Sequence, residues 1–144
     1  MEIYLKDITL DDSNFLYKLY ILRDPKDVLK PIKKNQQEKF VKEFLKKDPS
    51  HPYNDWKLIK FEDKVIGSVT LNKKNNELGF WLMPEFQGKG IGPIAVKKLM
   101  VKNNKEYYTA IIRIENESSK SLVNKLGFEL THYKYTKKMY KSKL

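Results

Sequence analysis

The chain has no cysteine. That excludes disulfide frameworks, thiolate nucleophiles and cysteine-ligated metal centres. Histidine is almost as scarce: His51 and His132 are the only two, far apart and without metal-ligand spacing, so no metal is expected. No run of residues is long and apolar enough to cross a bilayer. The start, Met1-Glu2-Ile3-Tyr4-Leu5-Lys6, lacks the basic and apolar regions of an export signal. The expectation is a soluble cytoplasmic protein with no membrane partner.

What is abundant is positive charge. The formal net charge is +11 and the sequence pI about 9.6. Such a surface attracts anions, from nucleic acid to nucleotide-like ligands. Lysine is spread along the whole chain, however, and no arginine-rich or aromatic-stacking motif accompanies it. Nucleic acid is therefore disfavoured as a partner. A hydrophobic content of 40% in 144 residues suits one domain with one core.

Periodicity then orders the chain. Residues 3–8 alternate as a strand. Thr9-Leu10-Asp11-Asp12 has the form of a capping box with Asp in place of Glu, and Phe15, Leu16, Leu19 and Tyr20 make one apolar helical face. Arg23-Asp24-Pro25 ends that helix. Asn35 with Glu38 predicts the next helix start, and Phe40, Val41, Phe44 and Leu45 its buried face. Strands are predicted at 56–61, 65–71 and 77–83, joined by polar turns. The last is apolar on both faces, which predicts a central position in the sheet. A helix to about Asn103, a β-branched strand at 109–114, a helix at 116–126 stopped by Gly127, and one or two closing strands over 128–140 complete the chain. The order β-αα-βββ-α-β-α-β(β) predicts a single α/β domain over 1–144: a mixed central sheet of about six to seven strands flanked by about four helices.

The stretch Gln87-Gly88-Lys89-Gly90-Ile91-Gly92-Pro93 is the strongest chemical signal. It follows an apolar strand and opens a helical segment. Glycines let the backbone adopt positive φ and approach a ligand, and the unpaired amides of a helix's first turn favour an anion. Pro93 suits that first turn, where its missing N–H loses nothing. The spacing is not the dinucleotide fingerprint, and no suitable carboxylate ends the next strand; nor is it a Walker A loop. It is Q-x-x-G-x-G, carried by Gln87, Gly90 and Gly92. A second block, Asn116 to Phe128, reads N-x-x-S-x-x-L-x-x-K-x-G-F.

Together, and in this order, the two blocks resemble the signatures of the Gcn5-related N-acetyltransferases (GNAT), in style closest to the ribosomal-protein and small-amine branches. The resemblance covers most of the chain. It implies acetyl-CoA as donor, a primary amine as acceptor, either a small molecule or a peptide or protein N-terminus, and direct attack of the amine on the thioester. It also implies roles residue by residue. Backbone amides from Gly88, Lys89, Gly90, Ile91 and Gly92 would hold the pyrophosphate, with Gln87 opening the loop. Trp81, Leu82 and Met83 would pair with pantetheine like an added strand. One of their amides, with Leu82 as the candidate, would polarise the thioester carbonyl. Asn116 stands where relatives contact the cofactor, and Ser119 either caps its helix or reaches the cofactor. Glu77, at the start of the strand, is a candidate general base; the alternative is a solvated strand-end residue. Glu115 is a weaker candidate. The aromatic residues Trp56, Phe61, Phe80 and Trp81 are read as core, with Trp81 alternatively lining the acceptor cleft, and Tyr133, Tyr135 and Tyr140 as edge packing or as a wall of the acceptor site.

Two positions depart from the pattern. Val123 stands where many relatives carry the tyrosine that protonates the leaving thiolate. Ile111 stands where some peptide-acetylating relatives carry a glutamate. No acid is assigned by resemblance, although a thiol with a pKa of about 8.5 leaves without one. Two alternatives follow: a CoA-binding regulatory module that is catalytically weak, and a basic ribosome- or nucleic-acid-associated protein. The acceptor is not legible in the sequence, and neither is oligomeric state, with a homodimer carried as one option.

Overall fold

The computed structural model describes residues 2–23 and 31–139. Its elements, in chain order, are β1 (Ile3–Asp7), α1 (Ser13–Ile21), α2 (Lys34–Leu45), β2 (Tyr53–Phe61), β3 (Lys64–Asn72), β4 (Glu77–Leu82), α3 (Ile91–Asn103) and α4 (Glu117–Lys125). The strands form one antiparallel sheet in the order β1-β2-β3-β4. Glu62 and Asp63, at φ 48° and 63°, make the two-residue turn between β2 and β3, where both central residues need positive φ.

Helices cover both faces. On one, Ile91, Ala95, Val96 and Leu99 of α3 pack on Ile3, Ile59, Val69, Leu71 and Leu78, with Leu122 of α4 completing the cluster. On the other, Leu16 of α1 and Val41 of α2 meet Ile8, Trp56 and Leu58. Strand alternation alone would leave Ile66 on the same face as Ser68. A register shift between Ile59 and Lys60 leaves Ile66 without a cross-strand partner, and its side chain joins the α3 cluster instead. Bulges re-aim side chains in this way.

Five expectations need correction. The sheet of the described residues has four strands, all antiparallel, rather than a mixed sheet of six to seven. The 109–114 segment contributes a single parallel bridge between Glu77 and Thr109; the Leu78 N–H donates to the Thr109 carbonyl at 2.8 Å, and the chain then leaves β4. Ile111 and Ile114 are exposed. β-branching favours a pleated surface only where a neighbour supplies one. No strand forms over 128–139, where Leu130, Tyr133 and Tyr135 are exposed; Tyr140 lies outside the described residues. β4 is an edge strand, not a central one. Its two apolar faces record cover by α3 on one side and by the α1–α2 layer on the other, and say nothing of its edges. Finally, α2 is capped at Lys33 rather than Asn35: the Gln36 Oε1 accepts from the Lys33 N–H at 2.7 Å, closing the first turn earlier.

Candidate active site

The open edge of β4 is where the site begins. The Leu78 N–H points away from β3, toward Thr109, while the Met83 N–H points inward and donates to the Ile66 carbonyl at 2.8 Å. Backbone groups alternate along a strand. Gly79, Trp81 and Met83 therefore direct their amides into the sheet, and Phe80 and Leu82 direct theirs outward. Of the three amides implied by resemblance, only that of Leu82 is turned to the open edge. The Gln87 side-chain amide donates to the Leu82 carbonyl at 3.1 Å, tying the start of the glycine loop to the end of β4.

The loop then turns into α3. Gly88 and Gly90 have φ of 74° and 79°, and nothing lies within 4 Å of where either Cβ would stand. Gly90 is the N-cap of α3 and offers no side-chain cap. The first-turn amides are thus left for another acceptor. Gly92 serves a different purpose: its Cβ would stand 2.7 Å from Leu122 Cδ1, so its absence lets α3 and α4 close together. The Lys89 ammonium lies 5.7 Å from the Phe86 ring centroid, with Lys64 at 5.4 Å from the same ring. Both add positive charge beside the loop.

α4 forms the neighbouring wall. Asn116 is its N-cap, and its Oδ1 accepts from the Ser119 N–H at 3.0 Å. Gly127, at φ 81°, ends the helix, with the Gly127 N–H donating to Asn124 and the Phe128 N–H to Val123. That double bond is the Schellman arrangement.

On the opposite face of the sheet lies a cavity of about 410 Å³ between α1, α2 and the β2–β4 surface. Leu16, Leu19 and Phe40 give it apolar walls, and Tyr20, Tyr53, Trp56 and Trp81 aromatic ones. Gly79 shapes it: a Cβ there would stand 2.7 Å from the Trp81 ring and 2.5 Å from Thr70 Oγ1. The indole therefore lies back along its own strand. The Arg23 guanidinium stacks over that ring at 4.4 Å from the centroid. Ser68 accepts from the Trp56 indole N–H at 2.9 Å and fixes the cavity wall. Burial pushes the Tyr53 phenol above its usual range, an effect opposed by nearby Arg23 and reinforced by Glu77, so it stays protonated.

A family model, the acetyltransferase (GNAT) domain, matches residues 2–129. The chain belongs to the GNAT acetyltransferase family. It is accordingly an acyltransferase, with both GNAT blocks lying inside the matched region. Solved structures share the fold. RimL, a ribosomal L7/L12 α-N-protein acetyltransferase in complex with coenzyme A, is 20% identical and superposes with a TM-score of 0.71 over 90% of this chain and 81% of its own. The microcin C7 self-immunity acetyltransferase MccE, in complex with acetyl-CoA and AMP, is 21% identical, with a TM-score of 0.67 over 88% and 78%. YncA from Salmonella typhimurium, with acetyl-CoA, is 16% identical, with a TM-score of 0.71 over 92% and 82%. No curated protein matches the sequence.

Within this GNAT domain the residues singled out from sequence divide between two faces. The loop residues Gln87 to Gly92 and the Leu82 backbone lie at one end of β4, with Leu122 of α4 packed against Gly92. Trp81 projects into the cavity, not into the core. Glu77 shares the Trp81 face, but its backbone is about 13 Å away at 3.3 Å per residue, and it does not line the cavity. Glu115 is exposed and lies 3.9 Å from Arg113. His51 is buried and structural: its Nδ1 accepts from the Tyr53 N–H at 3.1 Å, and its Nε2 lies 3.2 Å from the Phe40 carbonyl. Sequence reading missed Arg23 and Tyr53 as cavity residues. Arg23 read only as part of a helix-ending triplet; its placement beside an aromatic-rich strand is set by how α1 docks on the sheet.

Proposed function

We propose that this GNAT acetyltransferase moves an acetyl group from acetyl-CoA to a primary amine by direct attack. The observation that carries the reading is the outward-facing Leu82 amide, six residues before the left-handed Gly88 that opens the glycine cradle at the N-terminus of α3. The amides of Gly88, Lys89, Gly90, Ile91 and Gly92 suit a pyrophosphate, and the outward groups of Phe80 and Leu82 suit an extended pantetheine chain added as a strand. Asn116 and Ser119 support that pose by capping α4 beside the loop. The amine nitrogen forms a bond to the thioester carbonyl carbon, and the Leu82 N–H stabilises the charge developing on the oxygen. The carbon–sulfur bond then breaks, and the thiolate takes up the proton released by nitrogen. Holding amine and thioester together removes about 7 kcal/mol or more of the barrier. Glu77 would take a proton only through intervening water.

Isothermal titration with acetyl-CoA tests the donor half. The wild-type chain is expected to bind in the micromolar range. Gly90→Val, which forces a β-branched residue to positive φ, is expected to weaken binding at least tenfold, with the strain lowering the thermal midpoint by several degrees while the fold is retained. Wild-type protein that fails to bind at high micromolar acetyl-CoA would overturn the reading. Binding without transfer to any amine would instead favour the regulatory module, which the absence of a tyrosine at Val123 supports.

A further inference from the structure

One buried polar side chain on the cavity wall is not used by the fold. Gln37 stands on the inner stripe of α2, in helical register with Phe40, Val41 and Phe44, and is 6% exposed. It lines the cavity between α1, α2 and the sheet. Its neighbours on that wall are engaged. Gln36 Oε1 accepts from the Lys33 N–H at 2.7 Å, Tyr20 Oη from the Ile32 N–H at 3.0 Å, and Ser68 Oγ from the Trp56 indole N–H at 2.9 Å. Among the described residues nothing hydrogen-bonds the Gln37 side-chain amide, and the little area that Gln37 keeps opens on the cavity. Buried polar groups are as a rule bonded, because leaving one without a partner costs more than the bond is worth. An apolar residue at 37 would continue the stripe without that cost.

We propose that Gln37 is the specificity-determining residue of this cavity, and that it takes a neutral amide carried on a flat, apolar body. The glutamine side chain offers a donor and an acceptor side by side, the complement of a ligand carboxamide. Phe40, Tyr53, Trp56 and Trp81 give walls that suit a ring, and about 410 Å³ accommodates a ring with one polar substituent. A hydrocarbon of the same shape would expel water from Gln37 and leave its amide unpaired. Sites built to hydrogen-bond a ligand reject the analogue that lacks the bonding group. That the ligand is the amine acceptor rests on the acetyl-transfer reading above; that Gln37 selects it does not.

The test compares two benzylic amines of similar shape, 4-(aminomethyl)benzamide and 4-ethylbenzylamine, at saturating acetyl-CoA. Wild type is expected to favour the amide about tenfold in kcat/KM, chiefly through KM. Gln37→Leu is expected to shrink that preference to within twofold, with the acetyl-CoA Kd unchanged and the thermal midpoint level or raised. Gln37→Met, unbranched and closer in shape, is the second variant should leucine crowd the wall. Benzamide and ethylbenzene, titrated into the protein without acetyl-CoA, read the same contact without turnover: benzamide is expected to bind more tightly and to shift the Gln37 side-chain amide resonance in NMR spectra. Equal turnover of the two amines by wild type overturns the proposal, as does a preference that survives in both variants. A midpoint that falls by several degrees in both variants, with the preference intact, assigns Gln37 a structural role instead. If acetyl-CoA does not bind or neither amine is acetylated, the acetyl-transfer reading fails and the benzamide titration decides alone. Benzamide that binds no better than ethylbenzene, or equally well to Gln37→Leu, then overturns the proposal.

Discussion

Single backbone positions decide the proposed donor half of the site. Gly88 and Gly90 are needed for positive φ, while Gly92 is needed because Leu122 occupies the space of its Cβ. One motif therefore contains two different reasons for glycine, and the sequence spacing does not distinguish them. The Leu82 amide is another single-atom feature. Leu82→Pro removes an N–H that β3 does not use, so the β3–β4 ladder keeps its bonds. If that donor acts on the thioester oxygen, kcat is expected to fall about 10²- to 10³-fold, with acetyl-CoA affinity changed far less. A parallel loss of both in calorimetry and steady-state kinetics would assign Leu82 a structural role only. The outward direction of this amide had no signal in the sequence, because it depends on which edge of β4 is paired.

Among the elements, those with local punctuation agree best with expectation. The Thr9–Asp12 box forms, with the Thr9 N–H donating to Asp12 Oδ2 at 2.8 Å. α3 runs to Asn103 and α4 is closed by Gly127 as predicted, since caps involve residues only a few positions apart. The element boundaries that failed, at 109–114 and 128–139, needed a distant partner strand. The loop between α2 and β2 has a titratable joint in His51. Burial holds its pKa below the usual 6.5, although the Phe40 carbonyl works the other way. A depressed histidine pKa means the unfolded chain binds the proton more readily. Stability is then fully present above about pH 6.5 and is lost as pH falls through the window below it. Denaturant midpoints should decline over that window for wild type and stay level for His51→Gln; equal slopes would show that His51 carries no linkage.

At the scale of the whole molecule, a charge of +11 biases every encounter with an anion. Acetyl-CoA affinity is expected to weaken several-fold between about 50 and 500 mM NaCl, as the screening length shortens from above 10 Å toward 3 Å. A salt-independent Kd would confine recognition to the loop amides. The division of labour across the sheet is also a whole-molecule property. The glycine loop, proposed as the donor site, lies at the α3 end of β4, and the aromatic cavity lies on the α1–α2 face, with the adjacent residues Leu82 and Trp81 facing one each. The sequence by itself determined the glycine cradle, the helix caps and the family, because those signals are written in neighbouring residues and in backbone conformations few side chains tolerate. Only the tertiary structure decided that β4 is an edge, that its Leu82 amide faces outward, and that Arg23, Tyr53 and Trp81 share a cavity. Those features depend on long-range strand pairing and helix docking, which bring together residues from α1, β2 and β4 that no local pattern connects.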